Sequence, residues 1–309
     1  MDFGNGIFAV DSGYVRPQLA AIHLVVDGGR VAIVDTASNA CLPRVKAALA
    51  ALHLDASAVD YVILTHIHLD HAGGAGAMMR DFPGAQLVVH PRGARHMIDP
   101  GKLMAATEAV YGPEQARALY GELVPVPAER VVEATDGLAL PLGRRQLVCH
   151  DAPGHAKHHI FIHDTTARGI FTGDTFGICY RELDVAGRPF LFPTTTPTQF
   201  DPVAMRASVA HILALEPEAV YPTHFSRLTP PGSLAEDLLR RLDECVRLAR
   251  LVAESGGDPA TEIRRLLTGY LLQEVRSHGV TLADDEILDL WATDLELNAQ
   301  GLAYWLKNG

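Results

Sequence analysis

The chain is poor in the features that would place it in a membrane, outside the cell or on a nucleic acid. It has no stretch of about 18 uninterrupted apolar residues, the length a membrane-spanning helix needs. Met1-Asp2-Phe3-Gly4-Asn5 lacks the basic segment and apolar run of a secretory signal. Cysteine is scarce. Cys41, Cys149, Cys179 and Cys245 lie far apart and form no paired motif, which predicts reduced thiols in a cytoplasm rather than a disulfide frame. Cys179 is expected to be a buried thiol. Positive charge is in the minority, with 26 Lys and Arg against 37 Asp and Glu, a net charge of −11, and no dense basic run. Proteins that bind nucleic acid present a basic face to phosphate, so the charge argues against a polyanionic partner, and a small-molecule substrate is expected.

What the chain does have is enough apolar content for a sizeable core, 48% of 309 residues, and one dense cluster of metal-binding side chains. Thr65-His66-Ile67-His68-Leu69-Asp70-His71-Ala72-Gly73-Gly74 follows the apolar run Tyr61-Val62-Ile63-Leu64. Imidazole and carboxylate together suit a zinc-type divalent ion. Burying them without a partner would be unfavourable. The apolar run reads as a buried strand, and Gly73-Gly74 with Ala75 to Met79 reads as a helix start. The ligands then fall on a loop at a strand's carboxyl end, a usual place for a site in layered α/β folds. Of the other histidines, His23, His53, His90, His96, His150, His163, His211 and His278 are expected on the surface or in local pairs.

His-x-His-x-Asp-His after an apolar strand resembles the metallo-β-lactamase fold superfamily, where a lone His, a lone Asp and a last His follow at strand ends. Ala152-Pro153-Gly154-His155 resembles the Pro-Gly-His element, Ile170-Phe171-Thr172-Gly173-Asp174-Thr175 the Gly-Asp element, and Val220-Tyr221-Pro222-Thr223-His224 the closing Thr-His element. They occur in the family's order. The resemblance implies an α/β fold, a metallo-β-lactamase-like αββα sandwich with a helical insertion and a helical C-terminal extension. It implies one metal on His66, His68 and His155, a second on Asp70, His71 and His224, and Asp174 bridging them. Two Zn²⁺ per chain are expected, with Fe or Mn as the alternative. Thr65, His159 and Thr223 are expected to orient the ligands. His158 stands where glyoxalase II-like members have glycine, so that region departs from their pattern.

The chemistry implied is hydrolysis. Paired dications ionise a shared water near neutral pH and polarise a carbonyl, and Asp70 is expected to steer the nucleophile or shuttle a proton. A small ester, thioester or lactone is the expected substrate. Lactonases of this fold carry a Tyr three residues after the bridging Asp; Gly177 holds that place here. The alternative is an iron-dependent redox protein of the same fold, either a persulfide dioxygenase or a di-iron oxygen-binding protein. Di-iron members put Glu where this chain has His68, which favours zinc.

The architecture expected is a catalytic domain over residues 1–232 and a helical extension over 233–309. Ala20 to Val26 and Val31 to Val34 flank Asp27-Gly28-Gly29, a hairpin signal. Residues 42–53 have helical spacing, and Gln86 to His90 suits a short strand. Residues 92–121 read as two helices broken around Pro100-Gly101 and Gly112-Pro113, within an inserted flap spanning about 92–125. Asp201-Pro202 caps a helix to Leu215. Ser233-Leu234-Ala235-Glu236 reads as a capping box opening a helix to about Ser255, closed by Gly256-Gly257. Asp258-Pro259 opens another helix, Thr281 caps a third, and Asp294 to Leu306 forms a fourth. The tail resembles the helices that glyoxalase II-like hydrolases add, and its role is open between substrate binding, an edge cover and a homodimer interface.

Overall fold

The computed structural model describes residues 1–253 and 258–308. Alternating and continuous apolar runs build two sheets. The first contains β1 (Ile7–Asp11), β2 (Ala21–Asp27), β3 (Arg30–Val34), β4 (Val59–Ile63), β5 (Gln86–Val89) and β6 (Val131–Glu133), in that spatial order. Gly28 and Gly29 close the β2–β3 hairpin with positive φ, as the sequence predicts. From β3 to β6 the strands run parallel, so helices must carry the chain back over the face. Those helices are α1 (Leu42–Ala51), α2 (Leu69–Ala72), α3 (Ala75–Asp81), α4 (Pro91–Ile98), α5 (Gly101–Tyr111) and α6 (Pro113–Tyr120). The second sheet uses β7 (Ala139–Leu142), β8 (Arg145–Asp151), β9 (Ile160–Asp164), β10 (Gly169–Gly173) and, beyond the small ribbon β11 (Ile178–Cys179) and β12 (Leu191–Phe192), β13 (Ala219–Pro222). Its order is β13-β10-β9-β8-β7, with β10 and β13 parallel.

The sheets pack face to face through Ile7, Val25, Val34 and Ile63 on one side and Leu147, Ile160, Ile162 and Phe171 on the other. Val45, Leu49, Met78 and Met97 cover the outer face of the first sheet. Val209 and Ile212 of α7 (Pro202–Ala214) cover the second. The result is the expected αββα sandwich. The helical extension comprises α8 (Pro231–Ala253), α9 (Pro259–His278), α10 (Asp284–Leu290) and α11 (Ala292–Asn308), packed around Trp291 with Phe190 and Phe192. No helix among the described residues is long and apolar enough to cross a membrane.

Several boundaries differ from the sequence expectation. The flap holds three helices, because each Pro/Gly break ends one and starts another. The helix expected from Ser233 begins at Pro231, whose fixed φ suits the first turn, so Ser233 lies inside it. Its expected end near Ser255 and the Gly256-Gly257 closure lie outside the described residues. Thr281 caps nothing. The turn before α10 is closed by Glu286, whose carboxylate accepts from the Ala283 N–H at 2.8 Å. Asp258 does cap α9, accepting from the Thr261 N–H.

All four cysteines are free and buried, and burial pushes the thiols of Cys149, Cys179 and Cys245 up to about 12. His23, expected on the surface or in a local pair, is buried against Phe171 and Tyr221, with Nε2 3.2 Å from Ser226 Oγ. It lies on the β2 face that also carries Val25, which the second sheet covers. Burial depresses its pKa to about 4, against a smaller opposing pull from Asp35. The unfolded chain therefore binds more protons than the folded one between about pH 6.5 and 4. Stability should fall as pH drops through that window, by on the order of 3 kcal/mol from this ring. His23→Gln, which keeps a polar partner for Ser226, should flatten the acid limb of a urea-denaturation series measured beside wild type. An unchanged acid limb would count against a neutral buried His23.

Candidate metal centre

The carboxyl ends of four strands meet at one edge of the sandwich. β4 delivers Thr65 to His71, β8 delivers His155, β10 delivers Asp174 and β13 delivers His224. The two sheets are joined there by the Ile160 N–H donating to the Thr65 carbonyl at 2.7 Å. Gly173 turns the chain into Asp174 with φ +49, and a Cβ there would lie 2.6 Å from Thr65 Oγ1 and 2.7 Å from His159 Nε2. Both the backbone twist and the close approach require glycine at that position.

The seven candidate ligands converge. His68 Nδ1 lies 2.9 Å from both His66 Nε2 and His155 Nε2. His224 Nε2 lies 3.3 Å from Asp70 Oδ2, and His71 Nε2 lies 3.7 Å from the same oxygen. Asp174 stands between these groups. Its Oδ2 is 3.6 Å from His155 Nε2, and its Oδ1 is 3.3 Å from His71 Nε2 and 3.8 Å from His224 Nε2. The donor atoms form three overlapping trios, His66-His68-His155, His66-His71-Asp174 and Asp70-His71-His224.

Their partners fix which ring nitrogen faces the centre. His71 Nδ1 lies 2.8 Å from Asp35 Oδ2, and His224 Nδ1 lies 2.7 Å from the Leu19 carbonyl. Both partners can only accept, so both rings donate from Nδ1 and turn Nε2 inward. Thr65 Oγ1 lies 2.9 Å from Asp35 Oδ2 and 3.2 Å from His66 Nδ1. Its one proton goes to the carboxylate, so it accepts from His66, and Nε2 of that ring is again left free.

Electrostatics divides the rings. Burial and neighbouring rings hold His66 well below the usual imidazole range, and the same causes hold His68 down to about 3. Burial also lowers His155. These three are neutral with lone pairs on offer, the form that binds metal. Burial would lower His71, but Asp174, Asp70 and Asp35 overcome it and raise it well above its ordinary value. Burial would raise Asp70 and Asp174, yet His71 and His224 hold both well below the usual carboxylate range.

The donor set fits a pair of dications. His71 Nε2 and Asp174 Oδ1 are buried without a hydrogen-bond partner, a cost that a bound cation would remove. His68 Nδ1 cannot supply two protons to the two lone pairs aimed at it, and a metal ion among the three nitrogens settles that conflict.

Of the residues expected to orient ligands, Thr65 touches His66 and Asp35 as described. Thr223 donates to Asp35 Oδ2 at 2.6 Å and so acts on His71 at one remove. His159 Nε2 accepts from the Asp174 N–H at 3.2 Å, and its ring stacks on His66 at 4.8 Å between centroids. Sequence reasoning missed Asp35 and Thr194. Asp35 had a legible signal, an acid directly after the apolar strand Val31–Val34. Thr194 had none. Cys179 contributes backbone: its N–H donates to the His224 carbonyl and its carbonyl accepts from the Phe225 N–H.

The surrounding rim draws on three further segments. Tyr14 donates to the Tyr120 hydroxyl at 2.6 Å, and Tyr111 packs edge-on against Tyr120. Burial and then the charge of Asp70 raise all three phenols above their ordinary range, and a Cβ at Gly73, two residues past His71, would lie 3.5 Å from the Tyr120 ring, so the flap packs beside the ligand loop. From the extension, Asp294 accepts from the Tyr180 hydroxyl at 2.8 Å. Burial raises Asp294 to about 7, with Asp174 adding to the shift and His224 opposing it.

A family model described as the metallo-beta-lactamase superfamily matches residues 15–224. The metallo-beta-lactamase fold-containing protein ST1585 of Sulfurisphaera tokodaii is 24% identical over 242 residues, 77% of this chain and 84% of that protein. A hydroxyacylglutathione hydrolase of Stenotrophomonas maltophilia is 30% identical over 152 residues, 49% of this chain and 44% of that protein. Among solved structures, the family protein TTHA1429 of Thermus thermophilus superposes with a TM-score of 0.68 at 20% identity, covering 98% of this chain and 93% of that one.

Proposed function

The chain belongs to the metallo-beta-lactamase superfamily, and on that premise we propose that it is a metal-dependent hydrolase with two zinc ions, acting on a small ester, thioester or lactone. The observation that carries this reading is Asp174, whose Oδ1 faces His71 and His224 while its Oδ2 faces His155. His66, His68 and His155 would hold one ion, Asp70, His71 and His224 the other, and Asp174 would serve both. Bound there, such ions supply ionised water at neutral pH and polarise a carbonyl.

The protein's own groups do the rest. The Asp70 side chain is 28% exposed against 8% for Asp174, so it is the ligand carboxylate more open to the cleft and the one placed to hold or pass a proton. Tyr14, Tyr111, Tyr120 and Asp294 offer hydroxyl and carboxyl groups at the rim for positioning an acyl compound.

Metal analysis with an optical spectrum tests the reading. Protein expressed in metal-replete medium should carry about two metals per chain, mainly zinc, and be colourless, because a single ion takes about four ligands and seven are present. One iron with visible absorption would instead support the redox alternative, and an empty protein would remove both.

A further inference from the structure

The helical extension reaches the metal centre through the segment 193–196. Asn298 is buried on α11 among Leu295, Ala299 and Leu302. Its Oδ1 accepts from the Thr195 N–H at 2.6 Å, its Nδ2 donates to the Pro193 carbonyl at 3.1 Å, and its own carbonyl accepts from Thr195 Oγ1 at 3.0 Å. Gly301 lets the helix lie flush on the same segment, since a Cβ there would fall 1.6 Å from the Thr195 carbonyl oxygen. An amide in an apolar helix face is unfavourable unless its bonds are made, and here both ends of the amide are paired.

Thr194 sits between the two clamped residues. Its hydroxyl lies 3.3 Å from the Asp174 main-chain carbonyl and 2.8 Å from His155 Nδ1. A hydroxyl has one proton, and the carbonyl can only accept. Thr194 therefore donates to Asp174 and accepts from His155 Nδ1–H. That fixes the tautomer of His155 whose Nε2 lone pair faces His68 and the candidate metal position. The hydroxyl of Thr65 does the same for His66, but it is anchored by Asp35 inside the sandwich. For His155 the anchor lies in the extension.

We propose that Thr194 and Asn298 are positioning residues for metal binding: the extension, through Asn298, locks segment 193–196 so that Thr194 presents His155 to the metal. This rests on the assignment of His155 as a ligand. It makes the extension part of the metal site rather than a cover over an edge.

Zinc titration of the full-length, metal-stripped protein against a chromophoric chelator tests it. Thr194→Val and Asn298→Ala should each weaken one zinc-binding step by about 10- to 100-fold and spare the other, while Thr194→Ser restores wild-type affinity. Glu296→Gln, on the same helix but paired with Arg264, should change neither step. In a His155→Ala background Thr194→Val should have no further effect, because the two act through one ring. If Asn298→Ala does not fold, Asn298→Asp keeps the acceptor for the Thr195 N–H and loses the bond to Pro193, and should give the same selective weakening. Wild-type affinity in Thr194→Val and in the folded Asn298 variant overturns the proposal, as does equal weakening of both steps or full additivity with His155→Ala. Wild-type protein that binds no zinc would overturn the ligand assignment and the proposal with it. Wild-type protein that binds two zincs, with variants that match it, overturns the positioning role alone.

Discussion

Asp174→Ala is expected to lower kcat/KM by well over about 100-fold and to empty at least part of the metal centre, whereas His159→Ala loses about 10- to 100-fold with its metal retained. The difference follows from what each side chain touches. Asp174 places Oδ1 near His71 and His224 and Oδ2 near His155, so its removal disturbs both proposed metal positions at once. It also takes away the nearer of the two carboxylates beside His71 Nε2, leaving Asp70 at 3.7 Å. His159 touches the Asp174 backbone N–H and stacks on His66. Its loss lets ligands shift but deletes none. Elemental analysis and ester hydrolysis on the same preparations decide the matter. Equal losses in both variants, with unchanged metal content, would show that the ligand assignment is wrong.

The parts of this site that are legible in the sequence are those whose chemistry is unusual for their position. Three histidines and an aspartate directly after an apolar strand have few structural uses, and His155, Asp174 and His224 each follow a run that reads as a strand. The structure brings all seven to one edge because strands of both sheets end there. Thr194 was hidden because its role depends on Asn298, distant in sequence and brought near by helix packing. No local pattern encodes such a contact. His23 shows the same gap: its place in β2 was legible, but which face of that strand the second sheet would cover was not. The helix starts at Pro231 and Asp284 record a different competition. The capping residues Ser233 and Thr281 offered local signals, and backbone already fixed by proline or closed by Glu286 took precedence.

Asp35 should prove the most sensitive of the residues that bear on the metal centre without facing it. It is fully buried at the end of β3 and accepts from four donors on three residues. These are the Thr65 N–H at 2.8 Å, Thr65 Oγ1 at 2.9 Å, His71 Nδ1 at 2.8 Å and Thr223 Oγ1 at 2.6 Å. Asp35→Ala strands all four donors in the interior, and breaking a buried ion pair from one side costs about 3–5 kcal/mol. That variant is expected to be strongly destabilised or unfolded, as urea denaturation of metal-free protein would show. Asp35→Asn separates the two roles. Its amide nearly fills the same volume, so it should retain more stability than alanine. But His71 Nδ1 and Thr223 Oγ1 both bond to Oδ2, while Oδ1 takes the Thr65 N–H, which cannot turn round; the amide oxygen therefore stays on Thr65 and the NH₂ replaces Oδ2, a donor facing two donors. The His71 ring must then accept at Nδ1 and carry its proton on Nε2, the atom aimed at Asp174 and Asp70. Thr223 must turn its hydroxyl from donor to acceptor, which reverses the bond tying the β13 end that carries His224 to β3. The metal position served by His71 and His224 should therefore weaken by at least about 10- to 100-fold in a zinc titration, the scale of losing a ligand's orienting partner. Wild-type zinc affinity in a folded Asp35→Asn protein would show that Asp35 holds the two sheets together without setting the proton on His71.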